Sequence, residues 1–182
     1  PPAPVDPDQV AYIFFTSGST GVPKGVQITH GAAGRFFAGL QADTGIGAAR
    51  WLNFHSISFD ISMVELLSGL AAGGAAVIPE LAVKRDPDAL AAFVDRHQVE
   101  IVSQTASAFS IFADRLVAAP SITHIIQAGE RLDFAAAGPF VSARPDVTVI
   151  NAYGITETVM YHTAYRLPAD PADFPDESVI GR

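Results

Sequence analysis

The chain has 182 residues, 49% of them apolar, and a net charge of -8 with a pI near 4.9. That is enough apolar chain for the core of one globular domain, and the acidic balance excludes a nucleic-acid groove or an anionic membrane surface, both of which need clustered Lys and Arg. The absence of cysteine excludes disulfides and thiolate metal sites, and fits a reducing, cytoplasmic setting.

In chain order, PPAPVDPD reads as a proline-rich lead-in, residues 1–9. Strand-like runs follow at VAYIFF and GVQIT, then a helix from about Gly31, a strand in WLNFHSI, a helix from Asp60 to about Ala72 and a strand in AAVIP. Beyond these come a helix in DPDALAAFVDRHQ, the run EIVSQT, a helix through SAFSIFADRLVAA and the run ITHIIQA. A helix in DFAAAGPFVSA, the run VTVINA and the run YHTAYRL complete the pattern. This alternation predicts an α/β fold, a largely parallel sheet flanked by helices, with ligands gathered at the carboxyl ends of the strands. No apolar stretch reaches the roughly 18 to 20 residues of a membrane span, and no signal-like pattern opens the sequence.

TSGSTGVPKG, Thr16–Gly25, crowds glycines and hydroxyls around one cation, Lys24. It reads as a phosphate cradle, in which bare N–H groups face an anion, or as a mobile connection between two strands. A Walker loop is excluded because Pro23 separates Gly21 from Lys24 and the next segment reads as strand. The G-x-S-x-G spacing of a serine-hydrolase elbow is missing, and no histidine pair has metal-ligand spacing.

The loop and its flanks, AYIFFTSGSTGVPKGVQITH, resemble the signature of the adenylate-forming superfamily, in the form found in amino-acid adenylation domains of nonribosomal peptide synthetases. The resemblance implies that Thr16, Ser17, Gly18, Ser19, Thr20, Gly21 and Lys24 embrace the β and γ phosphates of ATP and release pyrophosphate. It also implies that the chain is part of the large N-terminal subdomain of such an enzyme, with residues 10–182 a partial core.

Three further stretches fit the same family in order. In FDISMVE, Asp60 is by itself a helix N-cap, with Asp60, Ile61 and Val64 on one helical face. The resemblance makes it the carboxylate that grips an α-ammonium group, a charge-assisted bond that selects amino acids over plain acids. AGERL, by itself a turn, is similar to the family's adenine-lining segment, with Gly129 and Glu130 matched and Ala128 where many members carry glycine. NAYGITET, by itself a strand-to-helix turn bent at Gly154, is similar to the motif in which Asn151 and Tyr153 hold adenine, with Ala152 and Gly154 also among the implied cofactor-binding positions. There Thr156 contacts the α-phosphate and Glu157 binds Mg²⁺, for which a carboxylate is the expected hard ligand.

The implied reaction joins an amino-acid carboxylate to the α-phosphorus of ATP, giving aminoacyl-AMP and pyrophosphate, with Thr156, Glu157 and Lys24 as catalytic groups. The side-chain pocket carried over by position is Ile61, Val64, Ser103, Ile126, Ala128, Ala152, Met160 and Tyr161, all of which otherwise read as ordinary core. Val64, where family members often place tryptophan, with small Ala128 and Ala152 implies room for a bulky or aromatic substrate, and a threonine-like one stays open. His55 falls where related ligases place a group beside the substrate carboxylate, though a lone histidine at a strand end is usually structural. A peptidyl carrier protein is the implied downstream partner, and the family's hinge and lid domain, with its lysine, would lie beyond Arg182. Two alternatives stay open: an acyl or aryl acid ligase of the same superfamily, and a non-catalytic binding module.

Overall fold

The computed structural model describes residues 4–17 and 21–181. Its centre is a six-stranded sheet in the order β4-β3-β5-β6-β7-β8, formed by β3 (Arg50–Leu52), β4 (Ala75–Val77), β5 (Ile101–Gln104), β6 (His124–Gln127), β7 (Thr148–Tyr153) and β8 (Thr163–Arg166). All pairings are parallel except β7 with β8. The expected largely parallel α/β architecture is therefore present.

The first two runs depart from the βαβ rhythm. β1 (Val10–Thr16) and β2 (Lys24–Thr29) form a separate antiparallel hairpin across the glycine-rich loop, with Thr16 opposite Lys24. A loop this short reverses the chain directly, whereas a parallel pair needs a crossover of a dozen or more residues. Part of the expected lead-in is also held: Pro7 and Gln9 carbonyls accept from the Gly31 and His30 amides at 2.8 and 3.0 Å.

Period-two alternation splits the sheet's side chains between two cores. Trp51, Ile101, Ile126, Ile150 and Ala152 face α1 (His30–Thr44) and α2 (Ile61–Ala71). Leu52, Val102, Ile125 and Val149 face α4 (Pro87–Arg96), α5 (Ala106–Leu116) and α6 (Phe134–Ala143). A sheet covered on both sides must be apolar on both sides, which is why β5 and β6 read as nearly continuous apolar runs.

The helices start where the sequence places oxygen caps. Thr29, Asp60, Asp86, Thr105 and Asp133 each accept from an amide in the first turn of α1, α2, α4, α5 and α6. One short helix, α3 (Leu81–Lys84), had no sequence signal, since four residues carry no readable period. WLNFHSI contributes only Trp51 and Leu52 to a strand; the Asn53 amide still donates to the Val77 carbonyl at 2.9 Å, and the Asn53 side chain and His55 amide then bind the buried Glu65 carboxylate on α2.

Gly74, between α2 and β4, lies against the backbone of Ala49, and an added Cβ would collide with the Ala49 nitrogen and carbonyl oxygen. Gly74→Ala is expected to lower unfolding free energy by about 1–3 kcal/mol, read by urea denaturation. An unchanged midpoint would show that this approach is not tight.

Candidate functional site

The carboxyl ends of β5, β6 and β7 stand in register, Ser103 beside Ile126 beside Ile150, then Gln104 beside Gln127 beside Asn151. Each strand then turns outward into a loop, and the loops carry the motif residues.

On the far side of β7, a cavity of about 550 Å³ is lined by Gly129, Glu130, Asn151, Ala152, Tyr153 and Gly154. Of these, Gly129, Glu130, Asn151 and Tyr153 are the ones the resemblance sets beside adenine; Arg131, Leu132, Glu177, Ser178 and Ile180 complete the lining. Two glycines shape it: Gly129 has φ +82, and a Cβ on Gly154 would run into the Met160 carbonyl. Tyr153 is half exposed, leaving a ring face free for stacking. Asn151 Nδ2 donates to the Val179 carbonyl at 2.7 Å. The Glu130 carboxylate accepts from the Ser107 amide at 2.8 Å and its hydroxyl at 2.9 Å, and these bonds hold it below the usual carboxylate range. Only its place in the lining, not its charge, belongs to the cavity.

The second region lies under α1 and α2. Val64, Ile126, Ala128, Ala152 and Met160 are buried in one cluster, with Ile61 and Tyr161 packed against it. Ser103, the remaining pocket residue, is also buried and shares a 3.0 Å hydrogen bond with the Tyr161 hydroxyl. All eight positions are thus contiguous. Burial pushes the Tyr161 phenol upward, so it serves as a neutral hydrogen-bonding group. Val159 and Met160 both have left-handed backbones, φ 61 and 71, an uncommon conformation for non-glycine residues. The twist carries the chain from the exposed turn back into the core.

A cavity of about 640 Å³ opens beside this cluster, floored by Ile126, Ala152 and Tyr161 and walled by Ala32, Phe36 and Leu40 of α1. Arg35, Asp43 and Arg166 also line it. The α1 wall was missed from sequence, although its 32, 36, 40 spacing is a readable helical stripe.

Asp60 caps α2 just before Ile61. Its Oδ1 accepts from the Ile61 amide at 2.9 Å, and its Oδ2 accepts from Thr156 Oγ1 at 2.6 Å. The helix-cap reading holds, and the second oxygen meets the residue predicted to touch phosphate. Tyr12, on β1, was not singled out by the sequence; its hydroxyl is buried without a hydrogen-bond partner among the described residues, and burial together with the Asp60 charge pushes it up to about 12.

Glu157 is exposed on a single 3-10 turn, Thr156–Thr158. Among the described residues there is no cluster of three acidic or histidine side chains that would enclose a metal. One exposed carboxylate does fit a Mg²⁺ ion that takes its other ligands from phosphate and water. Thr16, Ser17, Gly21 and Lys24 stand at the two ends of the glycine-rich loop, with Lys24 exposed and Gly21 at φ +78. Gly18, Ser19 and Thr20 lie outside the described residues.

His55 lies apart from these contacts, bound by Nδ1 to the buried Glu65 at 2.6 Å. Burial raises the Glu65 carboxyl, and its hydrogen bonds from His55 oppose that shift.

Fold and cavities together define an α/β domain with two cavities of comparable size, about 550 and 640 Å³, that share Ala152 of β7. The chain belongs to the family of AMP-binding enzymes, which it matches over residues 1–182. It is 38% identical over 172 residues to syringomycin synthase SyrB1 of Pseudomonas syringae pv. syringae, a match covering 91% of this chain and 28% of the synthase. It is 36% identical over 187 aligned residues to the dimodular nonribosomal peptide synthase of Bacillus subtilis, covering 98% of this chain and 8% of that protein. The chain therefore spans a small part of the relatives it matches.

Among solved structures, PA1221, a nonribosomal peptide synthetase protein containing adenylation and PCP domains, superposes with a TM-score of 0.85 at 26% identity, covering 99% of this chain and 36% of that one. The Vibrio cholerae adenylation domain AlmE, solved with glycyl-adenosine-5'-phosphate, shares the fold with a TM-score of 0.85 at 24% identity, covering 97% and 34%. No helix among the described residues is long and apolar enough to cross a membrane.

Tyr161→Phe would leave the buried Ser103 hydroxyl without its partner. A loss of about 1 kcal/mol in unfolding free energy is expected by chemical denaturation, and equal stability would show that the bond contributes nothing.

Proposed function

We propose that this chain is the ATP- and amino-acid-recognising core of an enzyme that activates an amino acid as aminoacyl-AMP, releasing pyrophosphate, for loading onto a peptidyl carrier protein. The observation that carries this reading is the Asp60–Thr156 hydrogen bond of 2.6 Å. It brings the carboxylate suited to an ammonium group next to the hydroxyl suited to an α-phosphate, the adjacency that joining the two substrates requires.

The amino-acid carboxylate is already ionised at neutral pH, so the chemistry needs alignment more than proton transfer. Asp60 holds the ammonium group, while the cluster of Ile61, Val64, Ser103, Ile126, Ala128, Ala152, Met160 and Tyr161 takes the side chain. Tyr153, Asn151 and the Gly129–Glu130 backbone hold adenine; Thr156 donates to the α-phosphate, and Thr16 to Gly21 with Lys24 follow the β and γ phosphates. Glu157 would hold Mg²⁺, which when bound offsets charge on the phosphates. The cavity of about 640 Å³, lined by small Ala152, favours a bulky or aromatic side chain. Ser103 and Tyr161 add a polar tip that disfavours ligands leaving it unpaired.

Asp60→Asn keeps the cap acceptor but removes the charge. In calorimetric titrations it is expected to weaken amino-acid binding by about tenfold or more while leaving ATP affinity unchanged. Equal or tighter binding of the deaminated acid by the unaltered chain would instead favour an acyl or aryl acid ligase. Absence of ATP binding would overturn the activation reading.

A further inference from the structure

The cavity of about 550 Å³ has a wall that none of the four motifs supplies. Glu177, Ser178 and Ile180 line it, and they come from a segment that belongs to no strand or helix. Such a segment keeps its place only if other parts of the chain hold it.

Two anchors do so. Asn151 of β7, 2% exposed, donates from Nδ2 to the Val179 carbonyl at 2.7 Å. A carbonyl oxygen only accepts, so the carboxamide has to present an N–H there and its orientation is fixed. The second anchor is steric. Gly181 has φ +85, and a Cβ on it would run into the Ala164 carbonyl of β8. Ala164 pairs with Ala152, the residue after Asn151, so both anchors meet the sheet at the same level. Ile180 lies between them in the chain.

The apolar side chains of this cavity point to the kind of ligand the wall meets. Ile180 is 41% exposed and Tyr153 48% exposed, and both line the cavity together with buried Leu132. Exposed apolar surface on the walls of one cavity gains from a ligand that covers it, and a purine has two flat faces with which to do so.

We propose that Asn151 is a positioning residue for the nucleotide: through the Val179 carbonyl it holds residues 177–181 as a wall of the cavity and sets Ile180 against the base. This rests on the adenine reading of the cavity. The Asn151 side chain then serves the base through the segment it ties, and Ile180 is a base-contacting residue outside the motifs.

Methyl ¹³C–¹H spectra of the 182-residue chain, titrated with AMP, test the wall. AMP is expected to shift the Ile180 methyl signals. Signals unmoved at saturating AMP overturn the proposal, and no variant is needed to see this. The substitution N151A tests the tie. Before any AMP is added, it is expected to move the Ile180 methyls toward their random-coil positions, while those of Ile101 and Ile125, on β5 and β6, stay in place and report an intact fold. An unmoved Ile180 would mean that Asn151 does not act through the segment.

The second arm is binding. N151A is expected to weaken AMP about tenfold and I180A about threefold, with the double variant no worse than N151A alone, because releasing the segment already removes Ile180 from the base. Losses that multiply would show the two side chains acting independently and overturn the proposal. If the unaltered chain binds no AMP, the adenine reading fails, while the Ile180 signals of N151A still decide whether Asn151 holds the segment.

Discussion

A parallel sheet buried on both faces leaves polar chemistry few places to go. Its side chains alternate between two apolar cores, so hydroxyls, carboxylates and open amides concentrate where strands end and loops begin. The candidate site follows from that constraint. Asn151, Tyr153 and Gly154 arrive from the end of β7, Gly129 and Glu130 from the end of β6, and Asp60 from the loop after β3. The three groups are far apart in sequence and are brought together by the order of the strands.

α2 is the element on which the two sides of the site meet. Its first carboxylate, Asp60, divides its oxygens between the helix's own amide and Thr156. Four to five residues on, Val64 enters the apolar cluster and Glu65 seizes the preceding loop. A buried carboxylate is unfavourable unless donors surround it. Here two N–H donors and the His55 ring surround it, which fixes the loop. The same helix therefore caps itself, packs the pocket and orients the approach to it.

Membership of the AMP-binding enzymes accounts for the spacing of the motifs, but the physical roles still differ residue by residue. Glu130 shows this. The motif places it along the nucleotide cavity, yet its charge is spent on Ser107 at the start of α5, so it braces the cavity wall. Tyr12 shows the reverse: it stands in a run that reads as ordinary strand, yet its unpartnered hydroxyl lies within the field of Asp60.

The sequence by itself determined the α/β class, the positions of most strands and helices, the caps and the four motifs, because period, cap chemistry and glycine-rich turns are local properties of the chain. By resemblance it also pointed to eight positions that the fold packs together, three of which line the larger cavity. Only the tertiary structure decided that β1 and β2 form a hairpin apart from the main sheet, that α1 walls the larger cavity, and that His55 is bound to Glu65. Those depend on pairing, packing and burial between segments far apart in the chain. Glu65 is the clearest case: ten residues from His55 in a helix that reads as simply amphipathic, it carries no local mark of the loop it holds.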